Sequence, residues 1–194
     1  MGLPNKLTIV RLILSPLLFV AFFIPVWSGS FQIASIALVW FFFLVIETTD
    51  ILDGHLARKW DQISDIGKVL DPFADVVSRM TYFICFTGVG VMPIWVLTIL
   101  IYRELAVTFM RLLQIRKGIA MAASVWGKLK AVTYAVSGVA GFLVISFSRL
   151  GWLSTLKPTF TLLAQIIFVL AAVASVGSFL TYVGAIRKSE KPAV

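Results

Sequence analysis

From Leu12 to Ile46 the chain runs 35 residues without a charged side chain. A helix that crosses the hydrocarbon core of a membrane needs about 20 largely apolar residues. The run is too long for one span and long enough for two. Pro25, Ser28, Gly29 and Ser30 interrupt it near the middle, which predicts spans over about 7–27 and 31–50. The pattern recurs downstream. Met80 to Tyr102 is uncharged and is broken by Gly88, Gly90 and Pro93, giving the end of a third span (71–90) and the start of a fourth (93–114). Ala131 to Ser148 makes most of a fifth, and Pro158 to Ile186 a sixth. The expected fold is all-α: one polytopic membrane bundle of six transmembrane helices, a single domain over residues 1–194.

Composition agrees. Sixty per cent of the 194 residues are hydrophobic and 13% are charged, and mean hydropathy is +0.99. Soluble domains carry about 25% charged residues, so a soluble domain, a disordered chain and a disulfide scaffold are all excluded. The first run is read as a span and not a cleaved leader. It is too long for a typical leader core, Pro25 follows it without a small-x-small site, and the next span starts at once. The single Cys85 excludes an internal disulfide and reads as a small buried hydrophobe.

The net charge is +8. In this setting it points to a membrane surface and its anionic head groups, not to nucleic acid. Basic residues gather at alternate ends of the spans: Lys6 and Arg11; Arg58, Lys59 and Lys68; Arg116, Lys117, Lys128 and Lys130; Arg187, Lys188 and Lys191. The opposite loops hold only Arg149 and Lys157. The positive-inside rule then puts both termini in the cytoplasm, in a multi-pass protein of the cell (inner) membrane.

Seven of the nine acidic residues lie between 47 and 75: Glu47, Asp50, Asp53, Asp61, Asp65, Asp71 and Asp75. Carboxylates near membrane depth are costly and are usually functional. Asp50 and Asp53 are three apart and share one helix face; Asp71 and Asp75 are four apart and share a face of the next helix. Two helices meeting at this loop can bring the four together. Like charges that close need cations. All-oxygen ligands without His or Cys favour Mg²⁺, Mn²⁺ or Ca²⁺, and four carboxylates suit two metals about 4 Å apart. Asp61 and Asp65 read instead as solvated loop charges, and His55 as a polar loop residue. Gly67 is expected to open the second of these helices, with Pro72 in its first turn.

The string Asp50-x-x-Asp53-Gly54-x-x-Ala57-Arg58, then eight residues, then Gly67-x-x-x-Asp71-x-x-x-Asp75 resembles the signature of the CDP-alcohol phosphatidyltransferase family, with all eight positions filled. Six spans and a cytoplasmic motif between the second and third resemble that family too. The resemblance implies two divalent cations, Mg²⁺ or Mn²⁺, held by Asp50, Asp53, Asp71 and Asp75, with Asp75 also the catalytic base for the acceptor hydroxyl. It implies that Gly54, Ala57, Arg58 and Gly67 line the pocket for the CDP part of CDP-diacylglycerol. It implies a homodimer as well.

The acceptor is read from other charges. Arg103 and Arg111 are eight apart on span four, close to one face, and Lys128 and Lys130 open span five. Such cations match a small acceptor that carries a phosphate. Leu3-Pro4-Asn5-Lys6-Leu7-Thr8-Ile9-Val10-Arg11, Arg103-Glu104-Leu105-Ala106-Val107-Thr108 and Gly127-Lys128-Leu129-Lys130 resemble the bacterial branch of the family that uses glycerol 3-phosphate. That likeness implies that Arg103, Arg111 and Lys128 hold the acceptor phosphate, and that the products are phosphatidylglycerophosphate and CMP. Glu104 is expected to partner one of these bases. The chain departs from the branch at Val76, where Lys is common; Arg79, one turn on, is the replacement cation. Inositol phosphate is the alternative acceptor. An intramembrane prenyltransferase and a divalent-cation transporter are the rivals of other classes. The first lacks a second Asp-rich motif and the second lacks midplane charges and repeats. Gly138, Gly141, Gly177 and Gly184 read as close helix-packing positions.

Overall fold

The computed structural model describes residues 3–59, 65–116, 125–152 and 156–189. They form six helices: α1 (Leu3–Ser28), α2 (Gln32–Lys59), α3 (Asp65–Gly88), α4 (Ile94–Arg116), α5 (Val125–Arg149) and α6 (Lys157–Ser189). The all-helical expectation holds, and the helices follow the expected segments in order. Helices α1, α2, α5 and α6 are long and apolar enough to cross a membrane. Helices α3 and α4 have the length but carry the charged side chains: Asp71, Asp75 and Arg79 on one, Arg103, Glu104 and Arg111 on the other. Outward faces are apolar, with Ile13, Phe41, Leu163 and Val173 exposed, as expected of surfaces that meet lipid. Exposed Trp27, Trp95 and Trp152 sit at one end of the bundle, the interfacial position that suits an amphipathic indole.

At that same end the turns are closed by glycine. Gly29, Gly90 and Gly151 adopt φ of +68°, +75° and +69°, which costs a residue with a Cβ strain. Gly29 N–H donates back to Pro25 C=O at 3.0 Å, ending α1. Pro25 itself lies inside α1. One local expectation is corrected. Helix α3 begins at Asp65, so Gly67 lies within its first turn and Pro72 is inside the helix, not in the first turn. The charged stretch ahead of Asp71 is polar enough to look like loop, yet it continues the helix. His55 likewise falls in α2 and not in a loop.

Helix α3 packs on α1, α4 and α5, while α5 also meets α2 and α6. The core between them is aromatic. Phe22, Phe43, Tyr82, Phe83, Phe86, Phe142 and Phe168 are buried. Phe43 meets Tyr82 edge-on at 5.6 Å, and Phe86 meets Phe142 edge-on at 4.9 Å; such pairs contribute roughly 0.5–1.5 kcal/mol beyond area burial. Gly138 and Gly141 of α5 make room for these rings. A Cβ on Gly138 would stand 2.7 Å from Phe43 Cε2, and one on Gly141 would overlap the Phe86 ring. Cys85 is buried, as expected.

Candidate active site

The helices that build the aromatic core also carry polar stripes toward the opposite end. On α1, Asn5, Thr8, Arg11 and Ser15 are buried on the face that Leu18 and Phe22 continue. The spacing of three and four keeps them on one side of the helix. On α3, Asp71, Asp75 and Ser78 continue the face of Tyr82 and Phe86 in the same way. Ser15 Oγ–H donates to Arg11 C=O at 2.8 Å, and the Ser15 and Ser78 hydroxyls are in hydrogen-bond contact at 3.0 Å, which joins α1 to α3 one turn from the carboxylates. Asp50 arrives from α2.

Asp50, Asp71 and Asp75 each present a carboxylate oxygen, and these oxygens lie within 4.8 Å of one another. Two helices meeting bring together three of the four carboxylates expected to converge, and the side chain of the fourth, Asp53, lies outside the described residues. Arg11 enters their midst from α1 with its side chain 1% exposed. Its Nη1 donates to Asp50 Oδ1 at 2.6 Å and also to Asp75 Oδ1, and its Nη2 donates to Asp71 Oδ1. Arg79 Nη2 donates to the second oxygen of Asp50 at 3.0 Å. Hard oxygen donors converging at this distance fit a divalent cation such as Mg²⁺ or Mn²⁺. Asp53, Gly54, Ala57 and Arg58 lie in the last turns of α2, where the course of the helix alone is described. Gly67 is partly buried in the first turn of α3. Asp61 lies outside the described residues.

Beside the carboxylates is a cationic cavity. Asp75 and Arg79 of α3, Arg103, Glu104 and Arg111 of α4, and Lys130 of α5 all line it. Glu104 is buried at its base and does more than partner one base. It accepts from Arg103 Nη1 at 2.8 Å, from Lys130 Nζ at 2.6 Å and from Tyr134 O–H at 2.8 Å. The remaining nitrogens of Arg103 turn to α6, where Nε donates to Ser175 C=O at 3.0 Å and Nη2 to Ser178 Oγ at 2.9 Å. Arg103 therefore fixes α4 against α6 while lining the cavity. Lys130 Nζ also lies 4.8 Å from the Tyr134 ring centre, within reach of a cation–π attraction. Lys128 is exposed and lies outside this lining. The replacement cation expected at Arg79 is on the cavity wall.

The sequence pattern of the CDP-alcohol phosphatidyltransferase family matches residues 1–187. The chain belongs to that family. Its members are enzymes, so this CDP-alcohol phosphatidyltransferase is one too. Among curated relatives, the CDP-diacylglycerol–glycerol-3-phosphate 3-phosphatidyltransferase of Treponema pallidum is 33% identical over 156 residues, covering 78% of this chain and 70% of the relative. The probable phosphatidylglycerophosphate synthase of Mycobacterium tuberculosis is 33% identical over 188 residues, 97% of this chain and 86% of the relative. The Bacillus subtilis protein of the first name is 34% identical over 136 residues, 66% of this chain and 70% of the relative.

Within this CDP-alcohol phosphatidyltransferase, the residue that sequence reasoning undervalued is Arg11, taken only as a topology marker and as part of the N-terminal resemblance. Its signal was the stripe Asn5, Thr8, Arg11, Ser15 in an otherwise apolar helix. A polar row at helical spacing has no reason to face lipid, so it must face a partner. Lys130 was likewise set behind Lys128. The two are only two residues apart, and the fold alone tells which faces inward.

Proposed function

We propose that this enzyme transfers the phosphatidyl group of CDP-diacylglycerol to sn-glycerol 3-phosphate, giving phosphatidylglycerophosphate and CMP. The observation that carries this reading is the shared position of Asp75, which belongs to the carboxylate cluster and also lines the cationic cavity. The donor's pyrophosphate would bind at the cluster and the acceptor's phosphate in the cavity, with Asp75 between them. The relatives named above for this reaction support the same substrates.

Asp50, Asp53, Asp71 and Asp75 would hold two divalent cations, Mg²⁺ or Mn²⁺. Such cations, when bound, neutralise the pyrophosphate and make its phosphorus more electrophilic. Gly54, Ala57, Arg58 and Gly67 would receive the cytidine nucleotide. Arg79, Arg103, Arg111 and Lys130 would orient the acceptor phosphate, with Lys128 at the mouth. Asp75 accepts the proton of the acceptor hydroxyl as its oxygen bonds to the phosphatidyl phosphorus. The bond from that phosphorus to the CMP oxygen breaks, and CMP leaves with the electron pair.

The reading includes six spans, α3 and α4 among them, whose charges face the site and not lipid. Both termini and the site would face the cytoplasm, in one domain over residues 1–194 that pairs as a homodimer. Inositol phosphate stays as the alternative acceptor, because a cationic cavity recognises its phosphate equally. The test is CMP release by purified protein with CDP-diacylglycerol and Mg²⁺ across a panel of acceptors, with Asp75→Asn as control. Release with glycerol 3-phosphate alone, lost in the variant, is expected. Release with another acceptor moves the substrate assignment, and no release from folded protein ends the transferase reading of these residues.

A further inference from the structure

A second cleft lies at the end of the bundle away from the aspartates. Pro25 and Val26 of α1, Gln32 of α2, the turn at Val89–Val91, Arg149 at the end of α5 and Lys157 at the start of α6 line it. The cleft is open to its surroundings and has a volume of about 320 Å³. The charge balance of this end is unusual. The acidic residues with described side chains, Glu47, Asp50, Asp71, Asp75 and Glu104, all lie toward the aspartate end. Among the described residues, no carboxylate pairs with either of the two basic residues here.

Arg149 shows the consequence. Its Nη1 donates to Ser35 Oγ at 2.8 Å and its Nη2 to Phe22 C=O at 2.6 Å, and its guanidinium carbon lies 4.6 Å from the Phe22 ring centre. All three partners are neutral. They hold the side chain in place but supply no counter-charge among the described residues, and Lys157 adds a second positive charge on the same cleft. A partly withdrawn guanidinium with no counter-ion favours an anion, best one with several oxygens. The walls at Pro25, Val26 and Val89 are apolar, and the Gln32 side chain lies beside the charges. Phosphate oxygens next to apolar wall describe the head of a phospholipid more closely than a free ion.

We propose that this cleft binds the phosphate of an anionic phospholipid from the leaflet at that end of the bundle, held between Arg149 and Lys157. The site is separate from the aspartates and does not depend on which acceptor the enzyme uses. Lys157 is exposed, and no ion pair joins it among the described residues, so Lys157→Glu reverses one charge without opening the core. Arg149→Gln also breaks the ties to Ser35 and Phe22, so it serves as a second variant only if folded.

The test is native mass spectrometry of the purified full chain, titrated with phosphatidylglycerol, with phosphatidylcholine and with inorganic phosphate. Wild type is expected to retain one phosphatidylglycerol that Lys157→Glu binds at least about fivefold more weakly, in line with the attraction of one basic residue for an anionic surface. Phosphatidylcholine should show no such difference between the two proteins. Equal retention of phosphatidylglycerol by wild type and Lys157→Glu would overturn the proposal. So would phosphatidylcholine binding as tightly, or inorganic phosphate alone displacing the lipid at equal concentration.

Discussion

Arg11 Nη1 lies 2.6 Å from Asp50 Oδ1, and the same guanidinium reaches Asp71 and Asp75 on the neighbouring helix. One cation from α1 thus ties the carboxylates of α2 and α3 together. It sets the spacing of the donor set before any substrate arrives.

Replacing Arg11 by Ala leaves three carboxylates facing one another. Breaking a buried pair costs roughly 3–5 kcal/mol, and the part-exposed aspartates place this case toward the low end. Thermal unfolding with a chelator present should show a clear loss of stability, and added Mg²⁺ should recover part of it. An unchanged midpoint in chelator would mean the three ion pairs contribute nothing.

Glu104 holds the other charged knot. Glu104→Gln keeps a hydrogen-bond acceptor for Tyr134 but removes the anion shared by Arg103 and Lys130. Two cations then face each other in a site sheltered from water. The expected loss is about 3 kcal/mol, measured by denaturant unfolding in detergent, and Lys130→Met in the same chain should restore some of it. Additive effects of the two substitutions would show that the pair is not coupled.

The cavity distinguishes two neighbouring lysines. Lys130→Gln removes a charge from its wall and should raise the KM for the phosphorylated acceptor about tenfold or more. Lys128→Gln, exposed outside that wall, should change it by less than about threefold. Steady-state CMP release at varied acceptor concentration reads both. A larger effect at Lys128 would reassign the phosphate contact.

The aromatic core makes a further pair of predictions. Gly141→Ala forces a methyl into the Phe86 ring, and overpacking of this kind costs about 1–3 kcal/mol. Gly184→Ala meets open space and should leave stability unchanged or slightly raised. Melting temperatures of the two variants side by side should separate by several degrees, and equal values would place the ring elsewhere.

Chelation should abolish CMP release, and Mg²⁺ or Mn²⁺ should restore it, because the candidate ligands that converge at the cluster among the described residues are carboxylate oxygens. Asp75→Asn should lower release by about 10²–10⁴ even with metal restored, the range of a lost general base. Full activity of Asp75→Asn would show that another group takes the proton.

Much of the fold was legible in the one-dimensional pattern. Uncharged runs of span length, broken by Gly and Pro, located the helices in order, because helix length and apolarity are local properties. The aspartate spacing likewise put Asp71 and Asp75 on one face, since three and four residues make about one turn. Helix starts were less legible. Charged residues ahead of Asp71 resemble loop, yet α3 begins at Asp65.

The sequence alone determined the all-helical architecture, the grouping of acidic residues and the family signature, all of which are read along the chain. Tertiary structure decided that Arg11 meets three aspartates 39 to 64 residues away. It also decided that Lys130, not Lys128, turns into the cavity, and that Glu104 joins α4 to α5. These choices depend on how helices rotate against one another. That rotation is set by which side chains interdigitate across the bundle, as Phe86 does over Gly141, and no local spacing records it.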